Sequence, residues 1–296
     1  MSFVRNFGLL AFVVAAAGSA AAQTATSRPF RPVTDAMLRN PDAGDWLMWR
    51  RTWNSWGYSP LDQVTKRNVA KLEQVWSRPT GKGTQESTPL VHDGVMFVPN
   101  SGDYIQAFDA KTGEPLWEYH RQYPEGVNGG TNRNMAIWGT TLIDAGADNQ
   151  MYAVDARTGK LVWETKVLDA KLPARATAGP IVANGKVITG RQCQPAATHE
   201  SCVITAHDAA TGKELWRTRT IPRKGEPGDE TWGDVPMEQR WHVQAGDEAD
   251  DDTVPSDIDE FRETLARRIR GFIEARTGSA SRRHGGSAGD IERGGT

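Results

Sequence analysis

Apolar and polar positions along the middle of the chain fall into short β-rich runs, each with a turn-forming pair inside it. PLVHDGVMFV from Pro89 and PIVANGKVITG from Pro180 share Pro, Val, an Asp or Asn, and Gly in register. Beside these runs stands a second pattern, A-x-D-x-x-T-G-x-x-x-W, at Ala107 to Trp117, Ala153 to Trp163 and Ala206 to Trp216. Its Asp and Thr side chains are of the kind that bond nearby backbone amides, and its Gly accepts a positive φ, so the segment predicts a tight turn between strands. Asp109, Asp155 and Asp208 are structural on this reading. A Trp at a fixed place in every repeat, here Trp117, Trp163 and Trp216, fills the contact between neighbouring units. Short strands repeating every 40 to 50 residues or so mark a β-propeller, in which small antiparallel sheets surround a channel. The expected fold class is all-β, a partial β-propeller, and roughly 200 residues at that period predict about four blades.

The pattern fails at both ends. Near the start, Arg5 is followed by GLLAFVVAAAG from Gly8 and by Ala20-Ala21-Ala22. A positive charge, a short apolar core and a small-residue cleavage site compose an export signal, so residues 1–22 are expected to be a signal peptide and Gln23 the mature start. The other reading is a membrane anchor, but about eleven apolar residues fall short of the roughly twenty that span a bilayer. No second apolar segment of spanning length follows, which predicts an exported protein, periplasmic in a Gram-negative source. At the other end, all eleven Trp lie between Trp46 and Trp241, and the stretch from Gln244 to Thr296 is dominated by Asp, Glu, Arg, Gly and Ser. The expected organisation is therefore 1–22 signal, 23–243 partial propeller and 244–296 a separate tail. Within that tail Phe261, Leu265, Ile269 and Phe272 keep helical spacing after a capping Asp257, and the last residues have the composition of disorder.

A formal charge of −2 gives no electrostatic case for nucleic acid as a partner. The two cysteines, Cys193 and Cys202, stand in an irregular stretch, GRQCQPAATHESC. Export favours a disulfide between them, which would stiffen a loop at a blade end. Metal binding by the pair is the alternative; His199 and Glu200 are close in sequence, but the spacing matches no zinc pattern.

Several further motifs occur in a particular order: DWLMWRRTWNSWGYSPLDQVTKRNVAKLEQVW from Asp45, QESTPLV from Gln85, TNRNMAIWG from Thr131, TAGPIVANGKVITG from Thr177 and GEPGDETWGDVPMEQRWHV from Gly225. Over residues 40–243 the chain resembles the quinoprotein alcohol dehydrogenases. The resemblance implies an exported enzyme with an eight-bladed propeller, carrying pyrroloquinoline quinone (PQQ) and a calcium ion at its centre. Such an enzyme oxidises a small alcohol and passes electrons to a separate cytochrome c or similar acceptor. It implies that Glu86 contacts the cofactor, that Arg133 donates to its quinone oxygens, and that Thr177 holds a cofactor carboxylate. An Arg beside a quinone oxygen suits the chemistry, because a quinone that accepts a hydride develops negative charge there. Arg133 as an ion-paired surface residue and Thr177 as an ordinary strand-start hydroxyl are the plainer alternatives. Glu200 is the carboxylate in the stretch where the family's calcium-binding Glu falls.

The sequence also departs from the family. The methanol-oxidising branch sets two adjacent cysteines over the cofactor, whereas after Tyr123 this chain reads PEGVNGGTNRN. After Val243 the G-T-W and Y-D-P runs, the calcium-binding Asn and the catalytic Asp of relatives do not follow, so no catalytic residue is assigned and the expected enzyme is incomplete. A non-catalytic, protein-binding propeller is the other functional class, needing no cofactor. A reading-frame shift in GC-rich DNA accounts for a motif that stops within one residue; a genuine appended segment is the other reading. Translating the coding DNA downstream of codon 243 in all three frames separates them. A G-T-W and Y-D-P run with further A-x-D-x-x-T-G repeats is expected in another frame, and its absence from all frames would make the tail genuine.

Overall fold

The computed structural model describes residues 29–240 except 175, 177 and 194. The expected signal peptide and the tail after Val243 lie outside the described residues. Twelve strands form three four-stranded antiparallel sheets, each a simple meander. The first holds β1 (Leu90–His92), β2 (Val95–Asn100), β3 (Tyr104–Asp109) and β4 (Pro115–His120). The second holds β5 (Ala136–Trp138), β6 (Thr141–Ala145), β7 (Gln150–Asp155) and β8 (Leu161–Lys166), and the third β9 (Ile181–Ala183), β10 (Lys186–Gly190), β11 (Val203–Asp208) and β12 (Glu214–Arg219).

Local chemistry sets each meander. Asp93-Gly94 and Asn184-Gly185 turn with φ of 48° and 75°, and 51° and 67°; both central residues left-handed is the turn whose twist matches two antiparallel strands. In the A-x-D-x-x-T-G motif, Asp109 Oδ1 accepts from the Lys111 and Thr112 amides, and Asp208 Oδ1 from those of Ala210 and Thr211. Asp155 Oδ1 accepts from the Arg157 amide. Each copy also carries one register shift, at Ala107/Phe108, Ala153/Val154 and Ala206/His207, so the bulge repeats with the motif.

The motif glycines do more than turn the chain. A Cβ on Gly113 would fall 2.6 Å from the Trp76 ring, one on Gly159 2.5 Å from Trp117, and one on Gly212 2.5 Å from Trp163. Each Trp therefore lies flat on the turn of the following sheet. Its indole N–H reaches the same turn in two of the three contacts, Trp76 Nε1 to the Ala110 carbonyl at 3.2 Å and Trp117 Nε1 to the Ala156 carbonyl at 3.0 Å. Trp76 stands outside any A-x-D-x-x-T-G copy yet docks on the first sheet as the motif tryptophans dock on the others. Between the stacked sheets lies the core, with Phe97, Ile105, Leu142, Ile143, Met151 and Tyr152 among its buried members.

Length alone assigns a fourth blade, and the structure places only three complete sheets among the described residues. The stretch ahead of Leu90 is mostly irregular: Trp46 bridges Val91, Val69–Lys71 makes a single 3-10 turn, and Trp76 docks without a four-stranded sheet behind it. Ahead of it, residues 31–35 strap the three sheets together at their turns. The Arg31 amide donates to Asp93 Oδ2 at 2.7 Å, Val33 bridges Gly139, and Asp35 Oδ1 accepts from the Asn184 amide at 2.5 Å. Asp45, the start of the D-W motif, is buried and bonds His92 Nδ1 at 2.9 Å, while His92 Nε2 meets the Arg31 carbonyl at 2.8 Å.

If docking on glycine holds the sheets together, Gly159→Ala is expected to cost about 2–4 kcal/mol, because its methyl enters the Trp117 ring at a left-handed φ. Gly139→Ala, also at positive φ but with open space around it, is expected to cost only about 1 kcal/mol. Urea unfolding of both variants measures the difference; equal losses would show that strain alone is felt.

Candidate functional site

Strand register places the chemistry at one face. Leu90 pairs with Phe97 and Ala136 with Ile143, so the residues preceding β1 and β5 lie beside the ends of β2 and β6, opposite the turns that the 31–35 strap crosses. There the side chains of Glu86 and Arg133, from two separate motifs, form an ion pair at 2.8 Å, and the Thr88 amide donates to the Arg133 carbonyl at 3.0 Å. The pair is 38% and 45% exposed, so it contributes little to stability; its guanidinium remains open to a ligand. Thr177 lies outside the described residues, but its motif arrives at the same place: a Cβ on Gly179, φ 68°, would fall 1.9 Å from the Asn134 carbonyl oxygen. Only a glycine lets the third sheet's entry approach the T-N-R-N loop this closely.

The two asparagines of T-N-R-N face inward and hold Arg133 outward. Asn132 is buried and its Nδ2 donates to Asp144 Oδ2 at 2.5 Å; Asn134 is buried and its Nδ2 reaches the Pro180 carbonyl at 3.5 Å. A cavity of about 860 Å³ opens beside the three motifs, lined by Thr84, Asp103, Thr131, Lys171 and Ala176 and by the 125–130 loop. Gly129 in that loop crosses so close to Gly102 that a Cβ would fall 2.4 Å from its Cα.

Beneath the cavity lies a layer of buried charge that sequence reasoning did not find. Asp103 accepts from Tyr123 Oη at 2.7 Å and from the Ala147 amide at 2.8 Å. Arg121 grips Asp148 with two nitrogens, the shorter contact 2.7 Å, while its guanidinium stacks over Tyr152 at 4.7 Å. Asp144 receives Asn132, the Tyr152 hydroxyl at 3.3 Å and the Ala145 amide at 2.8 Å. Burial, reinforced by the negative charge of Asp103, pushes the Asp144 carboxyl up to about 8 despite these donors. Burial likewise raises Asp103. The signal for Asp144 was present only as a polar residue in an otherwise apolar strand, TLIDA.

Cys193 and Cys202 form a disulfide that closes the loop between β10 and β11. Glu200, on that loop, is engaged by Arg223 and by Arg219, the latter at 3.9 Å. Its side chain is 52% exposed, so these ion pairs hold it only weakly. Asp45, His92 and Asp93 bring ligand-type atoms together elsewhere, at the strap. Arg31 already pairs with Asp93 at 2.7 Å, and His92 bonds Asp45; they read as an anchor for the amino-terminal segment.

Stacked four-stranded meanders docked by Trp on Gly, with an Arg–Glu pair and a cavity at one face, form a partial β-propeller. Residues 46–252 match the PQQ family described as the glucose/ethanol/alcohol dehydrogenase β-propeller domain, and the chain belongs to that family. It is 35% identical over 204 residues to the dehydrogenase subunit of the quinone alcohol dehydrogenase of Komagataeibacter europaeus, covering 64% of this chain and 27% of that protein. To quinohemoprotein alcohol dehydrogenase ADH IIB of Pseudomonas putida it is 34% identical over 205 residues, 66% of this chain and 29% of the relative. Among solved structures it resembles quinohemoprotein alcohol dehydrogenase ADHIIG of Pseudomonas putida HK5, with TM-score 0.58 and 31% identity over 66% of this chain and 30% of that one. A europium-containing methanol dehydrogenase gives TM-score 0.55 at 25% identity, over 64% and 34%. The chain thus spans less than a third of the curated relatives it matches.

The Asp144 shift carries a sign. Its carboxyl binds a proton more tightly folded than unfolded, so its contribution to stability is full below the ordinary carboxylate range near pH 4 and is lost as pH rises through about 8. Asp144→Asn removes that dependence. Between pH 6 and pH 8 the variant is expected to gain about 2–3 kcal/mol relative to the parent, read as the change in the difference between their urea unfolding free energies; a difference that stays flat with pH would place the carboxyl in the ordinary range.

Proposed function

We propose that this chain forms the amino-terminal part of the cofactor-binding propeller of a PQQ-dependent alcohol dehydrogenase. The observation that carries the proposal is the pairing of Glu86 with Arg133, from two separate motifs, on the face where a cavity opens beside Thr84, Thr131 and Ala176. The surroundings suit an oxygen-rich ligand held by hydrogen-bond donors. Lys171 in the cavity lining and Arg133 on the same face supply positive charge against the lining carboxylates Asp103 and Glu125, Thr84 and Thr131 supply hydroxyls, and the glycines of the 125–130 loop allow close approach of backbone amides.

Bound PQQ would supply the two-electron acceptor for oxidation of an alcohol to an aldehyde. Arg133, held outward by the buried Asn132 and Asn134, is placed to stabilise negative charge developing on a quinone oxygen. Glu86 fixes that guanidinium through their ion pair. Thr177 is proposed to hold a cofactor carboxylate. Glu200 is proposed as a calcium ligand by the same resemblance, and no step is assigned to the ion. The base that takes the alcohol proton is expected beyond the described residues, as are the small-alcohol pocket and the contact surface for a separate cytochrome acceptor. Export to the periplasm is proposed on the pattern of residues 1–22. Among the described residues no helix is long and apolar enough to cross a membrane.

PQQ added to the purified chain is expected to quench tryptophan fluorescence saturably, with no alcohol turnover. Arg133→Ala is expected to weaken the apparent affinity by roughly tenfold or more, the worth of a charge-assisted contact. Absence of quenching in the parent protein would point instead to a propeller that binds other proteins.

A further inference from the structure

Arg191 is the one charged side chain among the described residues that is both buried and left with two unpaired donor groups. It follows Gly190 at the end of β10, its backbone amide donating to the Val203 carbonyl at 3.1 Å, in the loop that the Cys193–Cys202 disulfide closes. The residue is only 7% exposed. One nitrogen, Nη1, donates to Thr189 Oγ1 and to the Gly190 carbonyl, each at 3.1 Å. Nε and Nη2 have no hydrogen-bond partner.

Burying a guanidinium without a counter-charge costs free energy unless its donors find acceptors. The carboxylates whose field it feels are Asp148, Asp103 and Asp144, and none of them pairs with it within ion-pair distance. Each is committed elsewhere: Asp148 to Arg121, Asp103 to Tyr123 and Ala147, and Asp144 to Asn132 and Tyr152. The remaining charged neighbour, Arg217, is repulsive. Burial lowers the Arg191 guanidinium to about 10, so it stays a cation at neutral pH. A permanent charge in a low-dielectric setting, with two idle donors and no carboxylate free to turn toward it, lacks an acceptor that this segment of chain does not contain.

We propose that Arg191 is an anion-binding residue whose two idle N–H groups take a carboxylate of a ligand entering at the face that carries Arg133. In terms of the function proposed above, on which this part rests, that ligand is PQQ, a tricarboxylate, and Arg191 supplies fixed positive charge through the protein itself. Binding of the anion should then be independent of divalent cations. A guanidinium offering two parallel donors matches a carboxylate better than an ammonium would.

The test uses the full chain in EDTA, with two probes. Isophthalate, a plain aromatic dicarboxylate, is expected to raise the unfolding temperature of the parent protein saturably and to leave Arg191→Gln unmoved. PQQ is expected to bind the parent at least tenfold more tightly than the Gln variant and more tightly than its own trimethyl ester, with the preference over the ester reduced in the variant. Because the substitution removes an unpaired buried charge, the ligand-free variant is expected to be at least as stable as the parent; if it fails to fold, Arg191→Met, which keeps the volume without the charge, decides in its place. Equal responses of parent and variant to isophthalate, or a response abolished by EDTA, overturn the anion site. Stabilisation by isophthalate through Arg191, together with no PQQ quenching in the parent, keeps the anion site and removes the quinone reading.

Discussion

The face of an indole resting on a glycine is the contact on which the architecture depends. A four-stranded meander has two faces and cannot bury both against solvent, so each sheet needs a neighbour on either side. The A-x-D-x-x-T-G-x-x-x-W motif provides that neighbour with one chemical device. Its Asp and Gly form a turn whose surface is bare backbone, and its Trp projects onto the same bare turn of the next sheet. Because Trp76, Trp117 and Trp163 repeat the contact at three successive sheets, the spacing between sheets is set by the thickness of an aromatic ring. Any side chain at the glycine would wedge them apart.

Two ends of the stack are then treated differently. At one end, turns project, and residues 31–35 cross all three, tying Gly139 by a backbone bridge and Asp93 and Asn184 by amide-to-carboxylate bonds, with one buried His–Asp pair nearby. That end is rigid and spent. At the other end the inner strands begin, and the chain enters each sheet through a polar loop. For the ligand proposed above, those entries must be polar enough to leave room for it and firm enough to place it. The compromise is a layer of buried, mutually satisfied polar groups, with Asn132 on Asp144, Arg121 on Asp148 and Tyr123 on Asp103, above which Glu86 and Arg133 are displayed. Networks of this kind cost desolvation but fix a geometry that hydrophobic packing alone would not.

Much of this was legible in the sequence, and the reasons differ for each part. Turns read well because Asp-Gly and Asn-Gly pairs have few alternatives. The motif tryptophans read well because a repeat announces its own packing. Glu86 and Arg133 were read by resemblance, and spatial proximity adds what resemblance could not, since the two motifs lie in different sheets. Trp76 was missed as a docking residue because it lacks the A-x-D-x-x-T-G turn that marks the other copies. Of the roughly four blades expected, three are complete sheets among the described residues, because residues ahead of Leu90 spend their length on a strap and a docking Trp. Asp144 and Arg191 were invisible for another reason: burial of a charge is a property of three sheets at once, and no local pattern encodes it.

That last pair bears on how the site balances charge. An anionic quinone needs positive charge around it, and a fold can supply that charge with a metal or with side chains. A metal requires carboxylates that are free and convergent. Here the buried acidic residues are already occupied by arginine, tyrosine, amide or proton. In the reading proposed above, positive charge is carried by guanidinium groups, the exposed Arg133 and the buried Arg191. Such an arrangement trades the compact charge of a cation for directional donors, so it would select a ligand by the placement of its carboxylates rather than by its ability to chelate.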